Sequence, residues 1–385
     1  MSATPQLADR PFPELVRTTR LRAGLTQQQL ADLSALSVRA VRDLEAGRVR
    51  RPRRDTVRLL ADALRLGPAG ASALIGAATG EPGPTNRTAE LHGRATELAT
   101  LQELLVAADQ PLVSIVGLPG SGKSRLAAEV ARLCQLFGWQ VAPDAAQLPA
   151  QPAPGLQPRL LVLDDADPDA PQLDALRSQR PGLRVLRCAG APLGIVGEHV
   201  LPLAGLPVPV TGSVDEPAIA LFLSHARRSR PGLAPAPAEL ALIAEVCQSL
   251  DGLPGALVHA ADWSLVLSWS QLAAAAAQDP LGIAAPPAPS DGSAWRAAAL
   301  TPLAALGPVP AGLLATLAGD PAERTLEQLS QHLGQPPVEL ARSLHPLTVR
   351  GLVGCRRTSA GPTFRVPNLV RAALAGSPEV PSCNR

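Results

Sequence analysis

Residues 114–127 read Ser-Ile-Val-Gly-Leu-Pro-Gly-Ser-Gly-Lys-Ser-Arg-Leu-Ala, and Lys123 is the single lysine among 35 basic residues. Its neighbours stand in the spacing Gly-x-x-x-x-Gly-Lys-Ser, from Gly117 through Leu118, Pro119, Gly120 and Ser121 to Gly122, Lys123 and Ser124. Glycines let successive backbone N–H groups curl around phosphate oxygens, and a helix starting there adds partial positive charge. A lysine ammonium is a compact point charge that reaches the β- and γ-phosphates, while a serine hydroxyl can bind magnesium. A planar guanidinium fits that nest poorly, so a chain that uses arginine elsewhere keeps lysine here. With Arg125 just beyond, these residues form a candidate nucleotide cradle; a loop that keeps the pattern without binding is the alternative.

A magnesium site needs a second anchor. The stretch Arg-Leu-Leu-Val-Leu-Asp-Asp-Ala-Asp puts Asp164 and Asp165 directly after an apolar run. Asp164 is expected to bind Mg²⁺ with Ser124, and Asp165 is the candidate catalytic base or water-orienting group.

The elements around these residues agree with that chemistry. Pro-Leu-Val-Ser-Ile-Val-Gly upstream of the loop is a short β-branched run, as a buried parallel strand would be. Downstream, Leu126, Val130 and Leu133 recur at helical spacing. Residues 160–163 read as a second buried strand, with Asp164 at the carboxyl end where such sheets bind ligands.

Composition bounds the rest. A chain of 385 residues with 46% hydrophobic and 18% charged residues is expected to fold into several domains, and the 41 prolines fall mainly between apolar blocks. Aromatic residues are only 2%, so Leu, Val and Ala must build the cores. No apolar run approaches the roughly 18 to 20 residues of a membrane span, and the N-terminus lacks a signal peptide's apolar segment; a cytoplasmic protein with no membrane partner is expected. Cys134, Cys188, Cys247, Cys355 and Cys383 form neither a CxxC pair nor a zinc spacing and read as small apolar residues or idle thiols.

Charge is uneven. Residues 1–66 carry 13 arginines against seven acids, a local net of +6 in a chain whose total is +2. A basic end on a near-neutral body is the footprint expected of a nucleic-acid contact, here double-stranded DNA once the helices described next are taken with it. Within it, Thr26 and Gln29 form a capping box ahead of Leu30, Ala31 and Leu33. Ser37 caps a second helix whose apolar residues Val41 and Leu44 leave Arg39, Arg42 and Asp43 facing outward. Arg39 can donate twice to a guanine edge and Val38 can touch a thymine methyl, whereas Arg48, Arg50, Arg51, Arg53 and Arg54 suit phosphates.

These residues, in Gly-Leu-Thr-Gln-Gln-Gln-Leu-Ala-Asp-Leu-Ser and the following Leu-Ser-Val-Arg-Ala-Val-Arg-Asp-Leu-Glu-Ala-Gly, resemble the Cro/CI-type (XRE) helix-turn-helix family. The resemblance implies that the helix after Ser37 enters the major groove, with Val38, Arg39, Arg42 and Asp43 at the bases and Gln27 bracing the phosphate backbone. Ala35 stands where the family usually has a turn glycine.

Further along, the blocks at residues 91–101, 114–127, 160–167, 191–207, 216–227 and 246–261 follow one order that resembles the NB-ARC type of STAND-class NTPases fused to DNA-binding domains in bacterial regulators. That resemblance implies a nucleotide switch in which ADP holds a closed form and ATP favours an open one that often forms homo-oligomers. It implies that Gly93 and Arg94 lie near the base and ribose and that Pro254 packs against the adenine. Three departures stand out: Gly190 replaces a sensor arginine, Val366-Pro367-Asn368 replaces a Met-His-Asp segment, and a Pro/Ala-rich stretch shortens the sequence between the loop and Asp164. They favour a binder and switch over an efficient ATPase.

The expected fold is therefore multidomain α and α/β. It comprises an all-α helix-turn-helix domain (1–79), a linker (80–90), a P-loop NTPase with a parallel sheet (91–212), a small helical domain (213–281), a linker (282–294), a winged-helix-like domain (295–375) and a tail (376–385). The expected function is that of a sequence-specific transcription regulator controlled by ATP or ADP with Mg²⁺. A constitutive DNA binder with a scaffold-like nucleotide module, or a slow ATPase motor, are the alternatives.

Overall fold

A computed structural model describes residues 12–22, 25–34, 36–49, 54–64, 74, 91–107, 111–143, 158–164, 170–180, 182–208, 213–286, 295, 297–300, 306–358 and 361–375. The chain divides into two compact units, residues 1–90 and 91–385. Ala35, Arg50, Arg51, Arg53, Asp165, Cys383, both linker cores (80–88 and 287–294) and the tail lie outside the described residues.

The first unit is helical: α1 (Phe12–Arg22), α2 (Gln27–Leu33), α3 (Val38–Glu45) and α4 (Arg54–Ala63). Thr26 and Gln29 make the capping box at α2, with Gln29 N–H donating to Thr26 Oγ1 at 3.1 Å and Thr26 N–H to Gln29 Oε1 at 2.8 Å. Ser37 Oγ accepts from Ala40 N–H at 3.1 Å and starts α3. Phe12, Val16, Leu30, Ala31, Val41, Leu44, Val57, Leu60, Leu64 and Leu74 share one core. Leu33, expected among them, is 61% exposed. The buried stripe of α2 continues instead from Leu30 to Ser34, one turn on, whose hydroxyl donates back to the Leu30 carbonyl.

The second unit is built on a five-stranded parallel sheet: β1 (Leu112–Val116), β2 (Gln140–Ala142), β3 (Arg159–Asp164), β4 (Leu183–Ala189) and β5 (Glu198–Pro202), in the order β2-β3-β4-β1-β5. All five residues of β1 are buried, which explains its unbroken apolar and β-branched character. Helices α5 (Ala95–Ala107) and α6 (Lys123–Leu136) cover one face through Leu101, Leu105, Leu126 and Val130. Helix α7 (Ala170–Gln179) covers the other through Leu173, against Leu112, Leu161 and Val185. The strand after α6 is present but short, and most of the Pro/Ala-rich stretch, residues 144–157, lies outside the described residues.

Beyond the sheet, α8 (Pro217–Ser229), α9 (Pro237–Ser249), α10 (Pro254–Trp263), α11 (Trp269–Gln278) and α12 (Pro280–Ala284) pack together. Helices α13 (Pro308–Ala318), α14 (Leu326–Leu333), α15 (Pro337–Val349) and α16 (Asn368–Ala375) follow, with a small antiparallel sheet of β6 (Arg324–Thr325), β7 (Gly354–Thr358) and β8 (Gly361–Arg365). One hydrophobic core runs continuously from Leu118 and Leu206 through Phe222 and Leu257 to Leu347 and Val370. Part of the stretch expected as a linker belongs to that core. Ile283, Ala284 and Ala285 are buried at the end of α12, which Asp279 caps through Gly282 N–H at 3.0 Å, so three apolar residues outweigh the prolines around them.

Candidate functional site: the loop after β1 and the outer face of α3

The loop that leaves β1 turns directly into α6, so its backbone N–H groups gather at the N-terminus of a helix on the carboxyl edge of the sheet. Gly122 caps α6 with φ +95°, a conformation that a side chain would resist. A Cβ at Gly117 would collide with the Leu203 carbonyl. Lys123 is buried, and its Nζ donates to the carbonyls of Gly117 at 3.0 Å and Leu118 at 3.1 Å. Ser124 Oγ donates to Asp164 Oδ1 at 2.8 Å, which joins the loop to the end of β3. Ser121 Oγ is buried without a hydrogen-bond partner. Nested glycines, an ammonium, a hydroxyl–carboxylate pair and an orphaned hydroxyl match what a nucleotide's phosphates and Mg²⁺ require.

Three segments distant in sequence close over this loop. Gly255 N–H donates to the Gly120 carbonyl at 2.8 Å, and Pro254 faces Gly122. Trp295 Nε1 donates to the Pro119 carbonyl at 3.1 Å. Gly351, at φ +77° in the turn between α15 and β7, seats against Leu118 and Gly117. Next to it, Arg350 Nε is buried without a partner and burial pushes the Arg350 guanidinium below its usual range. Trp295 and Gly351 carry no local sequence signal, since their role exists only once the fold brings them to the loop.

Arg94 is buried behind the loop, where its guanidinium donates to Glu97 Oε1 at 2.7 Å, the Ser121 carbonyl at 3.2 Å and the Ala204 carbonyl at 2.6 Å. It thereby ties the loop to the segment after β5. Gly93 lies against Pro217, where a Cβ would have no room. Arg125 is exposed on the first turn of α6. Gly190 follows β4 in a bend, and the nearby Arg187 is buried in β4 with its NH1 donating to the Ala191 carbonyl at 2.9 Å. Val366 is buried, and the Asn368 side chain donates to the carbonyls of Gln248 at 3.2 Å and Ser249 at 3.4 Å.

In the first unit, α3 presents Arg39 at 93% exposure, together with the exposed Arg42. Asp43 is half-buried, 2.9 Å from Arg48 NH1 and 4.0 Å from Arg39 Nε. Val38 is also half-buried and packs on the core, which leaves part of its surface outward. Gln27 joins two charged groups: its Nε2 donates to Glu45 Oε2 at 2.7 Å and its Oε1 accepts from Arg42 Nε at 3.3 Å. Glu45 in turn accepts from Arg20 Nε at 2.6 Å inside the unit. Arg20 and Glu45, missed in the sequence, fix the orientation of Gln27 and so of Arg42. On the hairpin, Arg356 is paired with Glu323.

Among the described residues no helix is long and apolar enough to cross a membrane. Cys134, Cys188 and Cys247 are buried and Cys355 is exposed.

Fold and site together define a helix-turn-helix domain followed by a P-loop module on a parallel sheet. Residues 13–74 match the Helix-turn-helix domain family. An HTH-type transcriptional regulator of Mycobacterium tuberculosis is 30% identical over 184 residues, a match spanning 40% of this chain and 20% of that relative. Its counterpart in Mycobacterium bovis gives the same figures. An uncharacterized protein of Mycobacterium tuberculosis is 30% identical over 203 residues, 44% of this chain and 49% of the relative. The chain thus spans about a fifth of the length of the HTH-type regulators it matches. Two solved structures are similar at 15% identity. One is a Signal Transduction ATPase with Numerous Domains with a tetratricopeptide repeat sensor from Pyrococcus horikoshii (TM-score 0.30, 76% of this chain and 43% of that one). The other is the ORC1 protein of Aeropyrum pernix in complex with DNA (TM-score 0.31, 74% and 93%).

Proposed function

We propose that the protein is a sequence-specific, cytoplasmic transcription regulator of the XRE and NB-ARC type, whose P-loop module binds ATP or ADP with Mg²⁺ and thereby sets how its helix-turn-helix domain meets duplex DNA. The family match over residues 13–74 and the relatives named as transcriptional regulators support the DNA-binding half. The observation that carries the nucleotide half is the 2.8 Å contact between Ser124 and Asp164 beside the buried Lys123 ammonium.

In this reading Ser124 and Asp164 would hold Mg²⁺, and Lys123 Nζ, now on the Gly117 and Leu118 carbonyls, would supply the positive charge for the phosphate oxygens. The bound nucleotide supplies the phosphate charge that such a loop is shaped to meet. Arg94 steadies the loop from behind through Ser121, and Pro254 stands at the loop's mouth as an apolar wall. Gly190 contributes no charge toward a γ-phosphate, so hydrolysis is slow. At the other end, α3 enters the major groove, Arg39 and Arg42 read base edges, and Arg48 and Arg53 hold phosphates. The hairpin and α14–α16 form a winged-helix-like cover over the nucleotide, and ATP favours a self-associated form.

The test is to select duplexes from a random pool with the full chain and then titrate the best one without nucleotide, with ADP and with ATP. The binding midpoint is expected to differ between ADP and ATP, and a Lys123→Ala variant is expected to lose the difference. Superimposable wild-type curves would overturn nucleotide control and leave a constitutive DNA binder, because a two-state switch moves only by differential affinity.

A further inference from the structure

Among the described residues one non-glycine residue has positive φ: Asp251, at +54°, just past the end of α9. Its carboxylate is almost fully buried, at 8% exposure. Oδ2 accepts from Leu369 N–H at 2.9 Å in the first turn of α16, and Oδ1 accepts from Arg365 NH2 at 3.1 Å at the end of β8. The exchange is reciprocal, since Asn368 at the start of α16 caps the Gln248 and Ser249 carbonyls at the end of α9. Two helix ends from remote parts of the chain thus satisfy each other's orphaned backbone groups. Burial pushes the Asp251 carboxyl above its usual range while the Leu369 and Asn368 contacts and the Arg365 charge hold it down. The position is therefore held by its partners against an intrinsic cost.

The next four residues run from this contact straight to the phosphate loop. The Gly252 carbonyl accepts from Leu206 N–H at 2.8 Å, and a Cβ at Gly205 would collide with the Asp251 carbonyl. Pro254 and Gly255 then abut Gly122 and Gly120, with Gly255 N–H on the Gly120 carbonyl at 2.8 Å. Residues 251–255 touch the C-terminal segment at one end and the loop at the other. The backbone is close-packed along this segment, since a Cβ at Gly252 would collide with the Leu206 carbonyl and one at Gly255 would crowd Gly120.

We propose that Asp251 is a latch that couples the phosphate loop to the C-terminal segment 361–375 and sets how fast nucleotide leaves. The proposal rests on the nucleotide-binding reading above. Asp251 acts as a positioning residue, since it touches helix α16 and not the loop itself.

The test uses the full chain, Asp251→Gly and Asn368→Ala. Glycine adopts φ +54° without strain, so the first variant removes the carboxylate and leaves the turn; the second removes the opposite cap. Without nucleotide, exchange of the Leu369 amide is expected to be about tenfold faster in Asp251→Gly, while the β1 amides keep their protection. Release of the fluorescent analogue mant-ADP is expected to be about tenfold faster in both variants. Unchanged Leu369 exchange overturns the latch, and unchanged mant-ADP release from a wild type and variants that all bind it overturns the coupling. A wild type that binds no mant-ADP overturns the nucleotide reading and the coupling with it, a result distinct from either of the others.

Discussion

The Ser124 hydroxyl and the Asp164 carboxylate lie 2.8 Å apart although 40 positions separate them in the chain. Ser124 opens the helix that follows β1 and Asp164 ends β3, two strands that are not neighbours because β4 lies between them. Helix α6 bridges the gap by packing across β3 and β4, which carries its first turn to the end of β3. Asp164→Ala and Ser124→Ala are each expected to weaken Mg²⁺-dependent nucleotide binding by about tenfold to a hundredfold, while binding in EDTA changes little. Titration of mant-ADP with and without Mg²⁺ checks this.

Lys123→Arg is expected to bind nucleotide no better than Lys123→Ala. The lysine is buried between the Gly117 and Leu118 carbonyls, and a forked guanidinium cannot occupy that space as a point charge. Equal affinity of wild type and Lys123→Arg would count against the cradle.

Arg39→Ala is expected to relax base preference at one position of the selected duplex, because the Arg39 side chain is exposed on α3 with only a 4.0 Å contact to Asp43. Arg53→Ala is expected to weaken all duplexes alike and to lower the salt slope by about one. Binding measured on matched and mismatched duplexes across a salt series separates the two effects.

Glu45→Ala is expected to destabilise the first unit by roughly 3 kcal/mol or more, since it strands a buried Arg20. Gln27→Ala leaves that ion pair in place and is expected to cost about 1 kcal/mol while freeing Arg42. Amide exchange in the full chain should show lost protection in α1–α3 for the first variant only, with the β1 amides unaffected in both.

Cys247 and Cys355 are expected to differ in alkylation. Burial pushes the Cys247 thiol up to about 12, whereas Cys355 lies exposed on the hairpin. Iodoacetamide at mildly alkaline pH should label Cys355 in the folded chain and reach Cys247 only in denaturant.

Acid is expected to loosen the β7–β8 hairpin. The Arg356 guanidinium and then the Thr363 hydroxyl, both bonded to Glu323, hold its carboxyl below the usual glutamate range. Its contribution is present above the unfolded value and is lost as pH falls through the lower folded value. The effect is small because the pair is largely solvated, and loss of it in Glu323→Gln, read by hairpin amide exchange, checks the assignment.

The phosphate loop, its flanking strand and helix, and the caps at Thr26 and Ser37 were legible because each is written in residues a few positions apart. Leu33 misled because apolar spacing shows a helical face but not where the face ends, and Ser34 took the buried place. Ile283 and Ala284 were hidden among prolines, although they complete the core around α12. The strut from Arg94 to Ser121, the Trp295 contact and the Asp251 exchange with α16 had no local signature. Each depends on partners 27 to 176 positions away, a register that only the packed chain defines.

The most direct measurement is calorimetric titration of Mg·ADP and Mg·ATP into the intact folded chain and into Lys123→Ala. The account predicts saturable, one-to-one binding of at least one of them to the wild type and none to the variant. Identical heats for the two proteins, or no binding to either, would contradict it.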